Sequence, residues 1–557
     1  MLADGIPQEV RADNNDLRRI IAGTVSDKNG GVAGAVLRVQ NSRYSTTSDE
    51  DGSFRLRLPG NVSGPVKITA WARGYYIAGP VQAKTGQTDV VVSLNKHTDQ
   101  DNPNYRWLSA IITAGLGENQ GCAACHSAAG TGFTDSLPVE EWLKDAHSQS
   151  AVNPRFISMY LGSDLTGNKS KPTRYIHTKD YGTFPQVSNK KEAYFGPGYK
   201  LDFPDKFGNC AACHAPLAAV DAPYDTDPTR LNGVAAEGIN CDFCHKVWDV
   251  RLDPVTGLPY ENRPGVLSFE FRRPPGEHQF FAGPLDDVAP GEDTFSDIQR
   301  RSQICAPCHF GVFWDTVVYN SFGEWLQSPY SKPEGGQTCQ DCHMLRLGVK
   351  YFALPEKGGL KRDPASIFSH YMPGALDEQL LSNAVTMTAS AKLHDNHVDV
   401  SVTILNDRTG HHVPTGSPLR HMILLVVAKE QDGKELTLVG GSTLPEWCGV
   451  GERSSGYYSG LPGKVFAKIL EEEWTRISPT GAYWNPTRVL QDNRIAAFEQ
   501  DASRFEFAIN HSGPVHIEVL LLYRRAYKEL MDIKGWEIPD IVMERQAITL
   551  TGLNLQQ

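Results

Sequence analysis

Ten of the eleven cysteines fall into five Cys-x-x-Cys-His motifs: Cys122–Cys125–His126, Cys210–Cys213–His214, Cys241–Cys244–His245, Cys305–Cys308–His309 and Cys339–Cys342–His343. This is the attachment spacing of c-type heme. The two thiols add to the vinyl groups of the porphyrin, and the adjacent histidine lies under the iron as its proximal ligand. Zinc knuckles and redox disulfides also use Cys-x-x-Cys. Neither needs a histidine directly after the second cysteine, and all five motifs have one. Chance would give on the order of 0.01 such motifs in a chain of this composition. The expected cofactors are therefore five covalently bound heme c groups, held by the ten cysteines, with His126, His214, His245, His309 and His343 on iron.

Closing every iron would take five further ligands. The chain has 17 histidines. A lone histidine is more often solvated or in a core than on a metal, so each candidate needs a local reason. His147 ends the helical-looking Glu140-Glu141-Trp142-Leu143-Lys144-Asp145-Ala146-His147, where Trp142 could pack on porphyrin. His177 follows Tyr175-Ile176, His278 sits in Pro275-Gly276-Glu277-His278 between the third and fourth motifs, and His370 sits in Phe368-Ser369-His370-Tyr371. In Gly410-His411-His412-Val413-Pro414-Thr415-Gly416, glycine and proline bracket two adjacent histidines. Such a frame can aim one of them rigidly, and His411 is favoured over His412. His97, His394, His397, His421, His511 and His516 have no comparable setting. Met344 follows a proximal histidine and cannot reach the far face of the same heme. Irons closed by histidine on both sides are low-spin and sit lower in potential than His/Met irons.

The 557 residues suggest a multidomain chain, 40% hydrophobic and 21% charged, in the range of soluble globular proteins. No apolar run approaches the roughly 18 residues of a membrane helix. The net charge of −11, before any heme propionates, argues against nucleic acid as a partner and fits steering toward a basic redox protein. The first residues lack a secretory signal pattern. Heme attachment follows export, so the expected form is mature or trimmed and extracytoplasmic (periplasmic, cell-surface or extracellular), with a lipid anchor left open.

The elements that must position these groups divide into a polar tail (1–17), a cysteine-free alternating segment (18–96), the motif-bearing segment (97–375) and a second alternating segment (376–557). In 18–96, strands are predicted over 19–25, 32–39, 53–58, 66–72 and 88–94, split by glycine turns, as in a small β-sandwich. Asp49 and Asp51 read as a plain turn, since the EF-hand loop pattern is absent. In 97–375 the density of hemes would replace much of an apolar core, leaving short helices and loops wrapped around porphyrin. In 376–557, strands are predicted over 398–404, 422–428 and 515–523, with a helix over 524–534, as a C-terminal β-rich sandwich.

Gly23-Thr24-Val25, Gly34-Ala35-Val36, Thr46-Thr47 before Asp51-Gly52-Ser53-Phe54, and Ala72-Arg73-Gly74-Tyr75-Tyr76 resemble the carboxypeptidase regulatory-like β-sandwich family. That resemblance implies an accessory or adhesive module. Several later stretches resemble the hydroxylamine-oxidoreductase-related superfamily of multiheme cytochromes (doubled-CxxCH, tetraheme-cytochrome-like). They are Glu237-Gly238-Ile239-Asn240 before Cys241, Gly323 to Tyr330, Gly336-Gln337-Thr338 before Cys339, Ser369-His370, Gly410 to Gly416 and Asp492-Asn493-Arg494-Ile495. The resemblance implies that His370 and His411 are distal ligands, the second donated by the C-terminal domain. Two departures limit it. No Cys-x-x-Cys-Lys motif occurs, as in pentaheme nitrite reductases, and five motifs stand where hydroxylamine oxidoreductases have eight.

Three functions follow. The favoured one is an extracytoplasmic electron carrier with mostly bis-histidine hemes, serving other cytochromes or an extracellular acceptor. The second is a reductase or oxidase of a small nitrogen or sulfur compound with one open heme. The third is a subunit of a cytochrome oligomer, filament or complex. Cys448, the odd cysteine, reads as a buried inert thiol rather than a heme-side nucleophile.

Overall fold

The structure is a computed structural model. It describes residues 19–551 apart from 63, 112–120, 172–174, 181, 186–191, 277, 395 and 510–512. The tail expected at 1–17 lies outside the described residues.

Alternation builds the N-terminal domain. In β5 (Ser53–Arg57), Phe54 and Leu56 are buried while Arg55 and Arg57 are exposed, the period of two that a strand with one wet face requires. β1 (Ile20–Asp27), β2 (Gly30–Gly31), β5 and β8 (Val90–Ser93) form one sheet. β3 (Val36–Val39), β4 (Ser45–Thr47), β6 (Pro65–Trp71) and β7 (Ala78–Lys84) form the other. Ile21, Val25, Leu37, Phe54, Leu56, Ile68 and Val92 fill the space between them. Asp51 Oδ1 accepts from the Ser53 backbone N–H, as in a plain turn.

The middle segment has only short elements. Its strands pair two by two: β9 (Tyr175–Thr178) with β10 (Gly182–Pro185), β11 (Val247–Val250) with β12 (Phe269–Phe271), β13 (Phe281–Gly283) with β14 (Asp293–Phe295), and β15 (Gly311–Phe313) with β16 (Thr316–Tyr319). Its described helices do not exceed Pro154–Leu161 in length. The N-terminal sandwich is tied to it: Arg38 pairs with Asp286 at 2.6 Å, Trp71 Nε1 donates to Thr294 Oγ1, and the Ile77 N–H donates to the Asp293 carbonyl.

The C-terminal domain is a second sandwich. One sheet runs β17 (Thr386–Leu393), β18 (His397–Leu405), β23 (Gln500–Ala508), β20 (Leu438–Gly440). The facing sheet runs β22 (Thr487–Asp492), β21 (Gly463–Glu472), β19 (His421–Glu430), β24 (Val515–Arg524), β25 (Ile541–Leu550). β19 is covered on both faces. Met422, Leu424 and Val426 pack between the sheets, while Ile423, Leu425 and Val427 pack against a layer from helix Lys528–Lys534, which explains the unbroken apolar run. That helix is shorter than predicted, because β24 keeps Arg524 to pair with Asp540 at 2.7 Å in a buried position.

Candidate heme sites

Four motifs lie on single helical turns: Ala123–His126, Ala211–His214, Cys241–Lys246 and Cys339–His343. The Cys305 motif follows a tight 3₁₀ turn, Ser302–Cys305. In a helical turn the two cysteines are three residues apart and the histidine four from the first, so all three project to one side. Local caps fix two of these turns. Asn240 Oδ1 accepts from the Phe243 N–H, and Thr338 and Asp341 cap each other reciprocally.

Two imidazoles on one metal, each with a metal–nitrogen bond of roughly 2 Å, place their ring centres roughly 6 Å apart. Three histidine pairs meet that spacing. His245 faces His370 at 6.4 Å, His309 faces His147 at 6.3 Å, and His343 faces His411 at 6.3 Å. These separations are too long for direct packing of imidazole rings and fit a metal between them. Each pair joins the histidine of a Cys-x-x-Cys-His motif to one of the predicted distal candidates.

The rings are held in the ligating tautomer. His126 Nδ1 donates to the Phe352 carbonyl at 2.6 Å, His245 Nδ1 to Ala282 at 2.7 Å and His343 Nδ1 to Pro373 at 2.8 Å. On the distal side, His147 Nδ1 donates to Asp145 Oδ1 at 2.6 Å and His411 Nδ1 to the His412 carbonyl at 2.9 Å. In each case Nε2 is left with its lone pair free for metal. Burial keeps the rings neutral, pushing His309 and His370 down to about 3 and His214 to about 4.

Two buried carboxylates, not singled out from the sequence, position two of the predicted distal candidates. Glu141 Oε2 accepts from the His370 backbone N–H at 2.8 Å and from the Ser369 hydroxyl at 3.1 Å. Asp145 binds His147 and also accepts from the Met372 N–H at 2.9 Å. Their signal in the sequence was the spacing Glu141-x-x-x-Asp145-x-His147, acidic residues on the face that also carries the buried Trp142.

The His411 loop is organised by Glu324. This buried carboxylate takes Arg494 at 2.8 Å, the Thr415 hydroxyl at 2.6 Å and the His412 N–H at 3.2 Å. A side chain at Gly410 would press on Tyr330 and Trp325 at 3.0 and 3.1 Å, so the loop lies directly on helix Ser321–Gln327. The three stretches Gly323–Tyr330, Gly410–Gly416 and Asp492–Ile495 thus converge on one place.

The other candidates are not brought to an iron position. His278 is exposed and its Nδ1 pairs with Glu292 at 2.7 Å. His177 lies in β9, and its side chain is outside the described residues. Among the described residues no histidine ring faces His126 or His214 at the spacing of the three pairs. His214 stacks on Phe156 at 3.9 Å. Within electrostatic reach of Cys210 and Cys213 lie the half-buried phenols of Tyr319 and Tyr483, and the Arg420 guanidinium acts on Tyr483. His97 and His421 have buried Nε2 atoms that make no hydrogen bond, and their rings pack edge-on against Trp248 and Trp447. Cys448 is fully buried in the layer under β19, and burial pushes its thiol up to about 12.

Residues 20–95 match the family model of the carboxypeptidase regulatory-like domain. No curated protein matches the chain. Among solved structures it is similar to a penta-heme cytochrome c552 from Thermochromatium tepidum, with a TM-score of 0.51 and 17% identity over 77% of this chain and 97% of that one. At that identity the likeness is one of fold. It spans more of the chain than the N-terminal sandwich can account for.

Proposed function

We propose that the chain is an extracytoplasmic pentaheme c-type cytochrome that passes electrons between redox partners. The observation that carries this reading is the set of three histidine pairs at 6.3 to 6.4 Å, each with one member supplied by a Cys-x-x-Cys-His motif. Heme would supply the one-electron chemistry. The chain's own residues attach it, fix the imidazole tautomers and exclude water from the pairs. Heme attachment after export supports an extracytoplasmic place, and the acidic surface supports a basic redox partner.

A second reading has one observation behind it. Tyr319, Tyr483 and Arg420 beside Cys210–Cys213 could donate hydrogen bonds to a small anion on an open second heme, as a reductase or oxidase of a nitrogen or sulfur compound would need. Denaturing mass spectrometry of the matured protein tests the first reading: chain plus five hemes is expected, and four or fewer would overturn it. Low-temperature electron paramagnetic resonance separates the two. A carrier gives low-spin irons throughout, whereas a high-spin signal abolished by cyanide supports the second reading.

A further inference from the structure

The C-terminal sandwich holds a cluster that the hemes do not use. β18 alternates, with Val398, Val400, Val402 and Ile404 turned into the core and His397, Asp399 and Ser401 on the outer face. A carboxylate on the outer face of a sheet is ordinarily solvated. Asp399 is only 7% exposed, because His394, His397 and Arg504 cover it. His394 closes the β17–β18 hairpin, its backbone N–H donating to the His397 carbonyl at 2.9 Å. The two imidazoles stack at 4.7 Å with planes 11° apart, and both present Nε2 to the same carboxylate. His394 Nε2 lies 3.2 Å from Asp399 Oδ2, and His397 Nε2 lies 3.7 Å from Oδ1, which is buried and makes no hydrogen bond.

We propose that His394, His397 and Asp399 form a site for one divalent transition-metal cation of the zinc type, with an open position toward solvent. The three ligand atoms already lie within 4.8 Å of one another. Donors on a tetrahedral zinc, each at about 2.0–2.1 Å, stand roughly 3.3 Å apart. The nitrogen–oxygen separations of 3.2 and 3.7 Å bracket that value, so small side-chain rotations complete the geometry. Two imidazoles and one carboxylate suit zinc, copper or nickel rather than calcium or magnesium, which prefer all-oxygen shells. The site is separate from the hemes. It lies at the start of β18, whereas the His411 loop follows its other end at Leu405, about 26 Å away at the rise of a strand.

Arg504 gives the proposal a distinctive test. Its guanidinium holds Asp399 Oδ2 from β23 and is itself 62% exposed. It therefore competes with a cation for the carboxylate and can swing away. The experiment is equilibrium dialysis of the untagged holoprotein against micromolar Zn²⁺, with zinc and iron counted together by mass spectrometry. One zinc per five irons is expected. His394→Ala and His397→Ala should each weaken binding by about tenfold or more. Arg504→Ala should tighten it. Heme absorption spectra identical to wild type would show that the variants are folded. No zinc taken up by the wild type, or equal uptake by wild type and the His394→Ala/His397→Ala double variant, would overturn the proposal.

Discussion

His147 and His309 differ from the other two pairs in the angle between their rings. Their planes cross at 70°, while His245/His370 and His343/His411 lie at 29° and 19°. Crossed imidazoles leave the iron d orbitals nearly degenerate, whereas near-parallel rings split them. The oxidised protein should therefore show one strongly anisotropic low-spin signal with a large principal g value beside ordinary rhombic ones. Substituting His147 should remove the anisotropic signal and leave the rhombic ones in place. The same residue carries a carboxylate behind it. Asp145 on Nδ1 makes the imidazole a stronger donor and favours ferric iron. Asp145→Asn should raise one midpoint potential by tens of millivolts, since a tenfold loss of ligand strength for one oxidation state equals about 59 mV for one electron. A potentiometric titration in which all midpoints stay within error of wild type would falsify the assignment of that carboxylate to heme tuning.

At the scale of elements, the loop Gly410–Gly416 shows how a sandwich edge can serve a distant motif. His411 and His412 are neighbours in sequence but are held differently. The first turns its ring toward His343, and the second turns toward Glu324, its Nδ1 3.7 Å from that carboxylate. His411→Ala is expected to open one iron and produce a high-spin signal with every heme still attached. His412→Ala should leave the heme spectrum nearly unchanged. Spectra and denatured mass of the two variants check both statements, and opposite behaviour would exchange their roles. This loop was legible in the sequence because glycine and proline mark a constrained frame around ionisable residues. So were β5, β18 and β19, which bury alternating or continuous apolar side chains. β7 was not. It is an edge strand of mostly exposed residues, Ala78-Gly79-Pro80-Val81-Gln82-Ala83-Lys84, whose pairing with β6 depends on backbone bonds rather than on an apolar pattern. β25, also at an edge, was missed because Glu544-Arg545-Gln546 and a register shift interrupt the alternation of its core-facing Ile541, Met543, Ile548 and Leu550. His278 has a constrained frame of another kind. Pro275 and Gly276 constrain its backbone as firmly as they would for a ligand, but they aim it outward to Glu292.

Over the whole molecule, the two ends and the middle are stabilised by different means. Each sandwich has a core of valine, isoleucine, leucine and phenylalanine drawn from paired strands. The larger apolar cluster of the middle segment sets five alanines (Ala151, Ala211, Ala212, Ala215, Ala219) beside Leu217, Phe243, Val247, Val266, Phe269, Phe271 and Ile298, and a smaller one joins Ala306, Phe322 and Trp325. The alanines remove little apolar surface from water, since each buried methylene contributes only about 0.8 kcal/mol. The alanines flank or occupy the motifs, where larger side chains would compete with porphyrin for space. The segment should therefore fold only as heme is attached, as small metal domains fold with their metal. The N-terminal sandwich, with its own core between two paired sheets, should fold without heme. A chain produced without heme attachment should then give, on limited proteolysis, a protected fragment near residues 20–95, while the region from Cys122 to His343 is cut at many sites. In the matured protein the same protease should leave that region intact, and mass spectrometry of the fragments reads both outcomes. Equal protection of the middle segment with and without heme would mean that its protein contacts suffice, and that porphyrin is added to a fold already formed.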